Sequence, residues 1–218
     1  MGRGLRGFAE PARRRLLGTA PRSTKDYATH LPVLIAIAQH FHIEQVLEFG
    51  CGNFSTPIFL NQRVFRHLRR LESFDNDKAW INRLNEQVGS DSRYASHLVE
   101  GSMSVAIREI PIEQFDLVFV DDSTSAEERV RTIRELSDRN PTRSLIVIHD
   151  YEVADYRSAS MNFEHRHNFK AFTPQTGVVW NGNAVNDESI RGLESRVKRF
   201  AKTLEPDDVE GWLNVLSR

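Results

Sequence analysis

The chain has 218 residues with 29 basic and 30 acidic side chains, a formal net charge of −1, so no long-range field draws the whole molecule to nucleic acid. One cysteine, Cys51, excludes an intramolecular disulfide and a thiolate zinc cluster and fits a reducing, cytoplasmic setting. No run approaches the roughly 20 apolar residues of a membrane span, and the Arg-rich opening lacks the apolar centre of a secretory signal.

Residues 1–25 are basic, with Glu10 the one acid, and read as an arm. One domain is expected over 26–183, with residues 184–218 forming helices packed on it. Between Tyr27 and Phe41, the positions Leu31, Leu34, Ile35, Ala38 and Phe41 recur at helical steps and predict a helix with one buried face. Thr29 and His30 read as its solvated start. Gln45 to Phe49 is a buried strand carrying an acid, Glu48. It is followed by a tight turn, Gly50-Cys51-Gly52-Asn53-Phe54, and by a helix with Ser55 and Thr56 as N-cap candidates and Pro57 in its first turn.

A second strand, Leu68 to Phe74, ends in Asp75-Asn76-Asp77. Asp75 stands 25 positions after Gly50, near the distance at which the second strand of a βαβ unit brings an acid to a ribose. Asp77 reads as the cap of a helix running to Val88. Tyr94 to Glu100 is a third strand, leading through Gly101-Ser102 to a helix over Met103–Ile110. The fourth, Phe115 to Val120, is apolar from Leu117 onward, as a strand covered on both faces must be, and it ends at Asp121-Asp122. A helix from Ala126 to Leu136 carries Glu127 and Arg131 as a solvent-side pair. Strand five, Ser144 to Ile148, ends at His149-Asp150.

The segment Tyr151 to His167 is polar, aromatic and long, and is expected to be a lid. Asn168–Phe172 and Gly177–Trp180 form a predicted hairpin. A charged helix runs from Asp187 to about Leu204, and a last short one ends at Leu216. Strand and helix alternate five times with the polar signals at the strands' carboxyl ends. That is the pattern of a doubly wound parallel sheet, whose ligands bind outside those ends.

Glu48-x-Gly50-x-Gly52 after a hydrophobic strand resembles motif I of the class I S-adenosylmethionine-dependent methyltransferases, with Phe54 where many members carry a third glycine. The run Ser73-Phe74-Asp75-Asn76-Asp77-Lys78-Ala79-Trp80 is similar to the family's segment after strand two, and the hairpin to its strands six and seven. The likeness covers about Tyr27 to Trp180 and is closest to the small-molecule O-methyltransferases.

The resemblance implies an α/β fold with a doubly wound, mostly parallel seven-stranded sheet and an antiparallel last strand. It implies S-adenosyl-L-methionine as cofactor, held by Glu48, Gly50, Cys51, Gly52, Asn53, Phe54, Ser55, Asp75, Asn76, Ser102 and Asp121. The charge of Glu48 points the same way, because an acid at this turn favours a cationic ligand over a pyrophosphate. Trp80 is expected as packing or as a wall for the adenine, and Thr29 and His30 have a second reading beside the cofactor.

The expected catalytic residues are His149, Asp121 and Asp150, with His149 as base because an unperturbed imidazole titrates at about 6.5. Relatives of the catechol-methylating type hold magnesium with acids at the ends of strands four and five and a following Asn. Asp121 and Asp150 match that pattern while Tyr151 and Thr124 depart from it, so magnesium is the lesser alternative and no metal is assigned. His165-Arg166-His167 lacks a four-ligand set for zinc. The expected function is methylation of a small-molecule acceptor, at oxygen. The alternatives are an RNA or protein methyltransferase using the arm, and a noncatalytic cofactor-binding protein. Nucleic acid and membrane are not expected as partners, and a homodimer is left open.

Overall fold

Continuous apolar runs at Leu117–Val120 and Leu145–Ile148 have no polar face to turn to water, and both become central strands buried at every residue. The computed structural model describes residues 27–122, 125–182 and 185–217. The expected arm of 1–25 and the departure at Thr124 lie outside the described residues.

Seven strands form one sheet: β1 (Gln45–Phe49), β2 (Arg70–Asp75), β3 (Tyr94–Leu98), β4 (Leu117–Val120), β5 (Leu145–His149), β6 (His165–Phe169) and β7 (Thr176–Trp180). Their order is β3-β2-β1-β4-β5-β7-β6, and β7 alone runs against its neighbours. The doubly wound sheet with an antiparallel last strand is therefore present as expected.

The helices are α1 (Leu31–His40), α2 (Ser55–Leu60), α3 (Lys78–Val88), α4 (Met103–Ala106), α5 (Ala126–Arg139), α6 (Ala154–Ala159), α7 (Asp187–Phe200) and α8 (Val209–Leu216). Successive strand residues face opposite sides and so supply two cores. Val46, Phe119 and Val147 pack with α1, α7 and α8, whereas Leu47, Val118 and Ile146 pack with α5 and α6. Trp212 of α8 is fully buried, which ties the C-terminal helices to the first core. None of the described helices is long and apolar enough to cross a membrane.

Several expectations are corrected. Ser55 and Thr56 do not cap α2. Phe54 holds the cap position without a side-chain bond, and the two hydroxyl residues lie buried inside the first turn, where they serve Glu48. Asp77 does cap α3, accepting from the Trp80 amide.

The segment from Tyr151 is not a lid, because Tyr151, Tyr156, Ala159 and Phe163 are buried in the second core. The Tyr151 ring lies on Gly177 of β7 so closely that a Cβ there would overlap it, and its hydroxyl meets Ser160 Oγ at 2.8 Å. His165, Arg166 and His167 open β6, so the hairpin begins three residues before the expected Asn168. The helix after Ser102 stops at Ala106 and continues as a tighter turn over Ile107–Glu109.

Candidate active site

The turn after β1 is built on Glu48, which is wholly buried. The Thr56 hydroxyl donates to its carboxylate at 2.7 Å and the Ser73 hydroxyl donates to the same oxygen. The Gly52 amide in turn donates to Thr56 Oγ1 at 3.2 Å, so the acid holds the loop through one relay. Burial pushes the Glu48 carboxyl up to about 7, against hydrogen bonds from Ser55, Ser73 and Thr56 that favour ionisation. Glu48 therefore shapes the loop from behind, through Thr56 and Ser73.

Two glycines of the loop do different work. Gly50 has φ of 84°, and a Cβ there would overlap the backbone of Asp121 and Asp122, so glycine lets β1's loop lie on the end of β4. At Gly52 a Cβ would meet only Ser55 Oγ at 3.1 Å and the Phe54 nitrogen at 4.0 Å, which leaves a face free for a ligand. Cys51 is buried, its thiol directed to Asp75 Oδ2 at 3.5 Å and its carbonyl accepting from the Trp80 indole at 2.6 Å. Trp80 therefore clamps the loop. Burial, and after it the charges of Glu48 and Asp75, push the Cys51 thiol far up.

Pairing of β1 with β2 sets Phe49 beside Phe74, which brings Asp75 next to the loop. Burial raises the Asp75 carboxyl even though Oδ1 accepts the Asp77 amide at 2.8 Å. Asn53 and Asn76 are exposed, while Phe54 packs on the first core. Asn76, Gly101, Ser102, Met103, Asp122 and Glu128 line a small cavity beyond Asp75. Ser102 donates to Glu128 at 3.0 Å, a partner that no local pattern signals.

A second cluster stands at the ends of β4 and β5. Arg129 of α5, 2% exposed, reaches Asp121 at 2.7 Å and Asp150 at 2.9 Å and donates through Nε to the Asp122 carbonyl at 2.7 Å. The Tyr156 ring lies 5.5 Å from its guanidinium carbon. Asp122 is raised to about 6 by burial, which outweighs Arg129 and the Thr132 hydroxyl bonded to it. Sequence reasoning passed over Arg129, although it shares a helical stripe with the buried Thr132, Ile133 and Leu136.

Because the guanidinium joins Asp121 to Asp150, those two acids do not form the open pair that the magnesium pattern requires. Asp150 itself takes φ of 59° to make the turn beside it.

His149 is 1% exposed, with Nδ1 at 3.2 Å from Asp121 Oδ2 and Nε2 at 3.0 Å from Thr29 Oγ1. Burial acts to lower its pKa, but Asp121 and then Asp150 outweigh it, and the net direction is up. His30 stacks edge-on to His149 at 4.8 Å and lies 4.9 Å from the Phe119 ring. Burial, then His149, holds it down to about 3. Thr29 and His30 are thus buried site residues and not the solvated start of α1.

No protein-family model matches the chain, and no curated protein matches it in sequence. Solved structures do match in shape. Human methyltransferase-like protein 13 in complex with S-adenosylhomocysteine aligns with a TM-score of 0.53 over 84% of this chain and 94% of its own, at 10% identity. A spermidine synthase in complex with the transition state analogue AdoDATO gives 0.54 over 90% and 78%, at 15% identity. The spermidine synthase from Thermotoga maritima gives 0.52 over 90% and 76%, at 14% identity.

The fold is the class I methyltransferase fold. In this fold the strand order reverses between β1 and β4, and the crevice outside their carboxyl ends is where an open α/β sheet binds ligands. Both clusters stand at that edge of the class I sheet, joined by Asp121, whose amide bonds Phe49 of β1 and whose carboxylate faces His149.

Proposed function

We propose that the chain is an S-adenosylmethionine-dependent methyltransferase acting at an oxygen of a small-molecule acceptor. The observation that carries the reading is the open face at Gly52 set beside the Asp75 carboxylate on the neighbouring strand. Backbone over 50–54 would lie along the cofactor, Asp75 would accept from its ribose hydroxyls, and Asn76 and Ser102 would border its base. The S-adenosylhomocysteine in the human structure of the same fold supports this assignment.

Methyl transfer is an in-line displacement that needs alignment and, at a hydroxyl, loss of a proton. The new oxygen–methyl bond forms as sulfur takes the electron pair of the old one, and the hydroxyl proton passes to a base. His149 is the group proposed to take it, with Asp121 holding the imidazolium. Arg129 and Asp150 act through Asp121 and are positioning residues.

The likeness to spermidine synthases favours a second reading, an amine acceptor held by the cleft acids. Arg129 opposes it by already pairing both Asp121 and Asp150.

Calorimetric titration with S-adenosylmethionine, S-adenosylhomocysteine and NAD tests the reading. Binding of the first two, weakened by Gly52→Ala and Asp75→Ala, is expected. Preference for NAD, or affinity for none of the three, overturns it.

A further inference from the structure

His30 is 2% exposed, yet neither of its ring nitrogens has a hydrogen-bond partner among the described residues. Leaving buried polar atoms unpaired is costly, so an imidazole enclosed in this way points to a ligand that satisfies it. What faces it is chemically specific: one ligand atom each of His30, Asp121 and His149 lie within 4.8 Å of one another.

The His149–Asp121 pair has the spacing of two ligands on one ion, and a shift of the His30 side chain toward them would complete the set. His149 Nδ1 and Asp121 Oδ2 are 3.2 Å apart, inside the roughly 3.0–3.4 Å that separates adjacent ligands when each bond to the ion is about 2.1 Å. Thr29 Oγ1 occupies Nε2 of His149, which fixes the ring and leaves Nδ1 for an ion. Arg129 contacts Oδ1 of Asp121, and Oδ2 lies beside Nδ1 of His149. The Asp121 side chain keeps 16% exposure and marks the way in.

We infer that His30, Asp121 and His149 form a binding site for a divalent transition-metal ion of the zinc or cobalt type. The remaining coordination positions are left to oxygen ligands. The site shares one acid with the magnesium pattern weighed from the sequence but replaces the others with imidazoles, which select a softer ion. An ion on His149 Nδ1, with Thr29 on Nε2, would occupy both ring nitrogens, so the metal-loaded protein would not use His149 as base; ion binding itself does not depend on methyl transfer.

Protein dialysed against a chelator is titrated with Co²⁺, followed by calorimetry and by visible ligand-field absorption. One ion per chain with absorption bands is expected. His30→Asn should lower affinity at least about 100-fold, and Thr29→Val, which removes the outer contact to His149, by about 10–100-fold. His165→Asn, on the hairpin, should leave binding unchanged. Where His30→Asn does not fold, Thr29→Val decides.

Absence of stoichiometric binding, equal affinity in the folded variants, or dependence on His165 overturns the inference. A parallel titration with S-adenosylhomocysteine separates the two proposals. Cofactor binding without Co²⁺ binding removes only the metal site, and the converse removes only the methyltransferase reading.

Discussion

Replacing Glu48 by Gln tests the claim that the acid at the end of β1 works as a buried, proton-holding support for the glycine turn. The folded carboxyl stands at about 7 against an ordinary 4.5, a difference of about 2.5 units. At about 1.4 kcal/mol per unit this corresponds to about 3 kcal/mol. The folded state binds this proton more tightly than the unfolded chain. The residue therefore costs nothing below about pH 4.5 and removes stability progressively as pH rises to about 7, after which the loss is complete.

Glutamine keeps the acceptor oxygen used by Thr56 and Ser73 and cannot ionise. The measurement is urea unfolding followed by circular dichroism, for both proteins, at about pH 4.5 and about pH 8. Other titrating groups act alike in the two proteins and cancel. The stability of the variant relative to the parent should improve by about 3 kcal/mol between the two pH values. A relative stability independent of pH, or one that moves the other way, would refute the assignment of Glu48 as neutral in the fold at low pH.

Asp75→Ala should weaken S-adenosylhomocysteine by about 1–3 kcal/mol in calorimetry while the unfolding midpoint moves little. Gly50→Ala should cost at least about 1–2 kcal/mol from positive φ alone, more with the overlap on Asp121, and Gly52→Ala should cost far less in the same unfolding assay. Arg129→Leu leaves the Asp121 and Asp150 carboxylates without their cation and should destabilise by about 3–5 kcal/mol in urea unfolding. His149→Ala should lower turnover by about 10²–10⁴-fold in a methyl-transfer assay, with cofactor affinity retained. Cys51 should resist alkylation near neutral pH until the protein is unfolded, as followed by mass spectrometry, because its thiol is buried and held protonated.

The parts legible in the sequence are those whose cause is local. Leu117 to Val120 is apolar because both faces of β4 are covered, and Gly50 stands where a turn must pass close to another strand. Asp77 caps α3 through a bond to a residue three positions away.

What stayed hidden depends on contacts between distant segments. Thr29 reaches His149 across 120 positions, and Arg129 looks like one more charge on a polar helix until β4 and β5 bring two acids to it. The segment from Tyr151 misleads because its buried aromatics alternate with exposed charges. Only the packing against Gly177 shows which of them face inward.

The bond from the Trp80 indole to the Cys51 carbonyl gives the loop an optical reporter. Of the three tryptophans, Trp180 and Trp212 are almost fully buried and bonded to Val185 and Glu205, away from the cleft. Trp80 is half-exposed, carries Arg83 over its ring at 4.7 Å, and touches the backbone on which a ligand would lie. Ligand-dependent emission should therefore arise from this one side chain, and Trp80→Phe should leave a protein that binds without a spectral response.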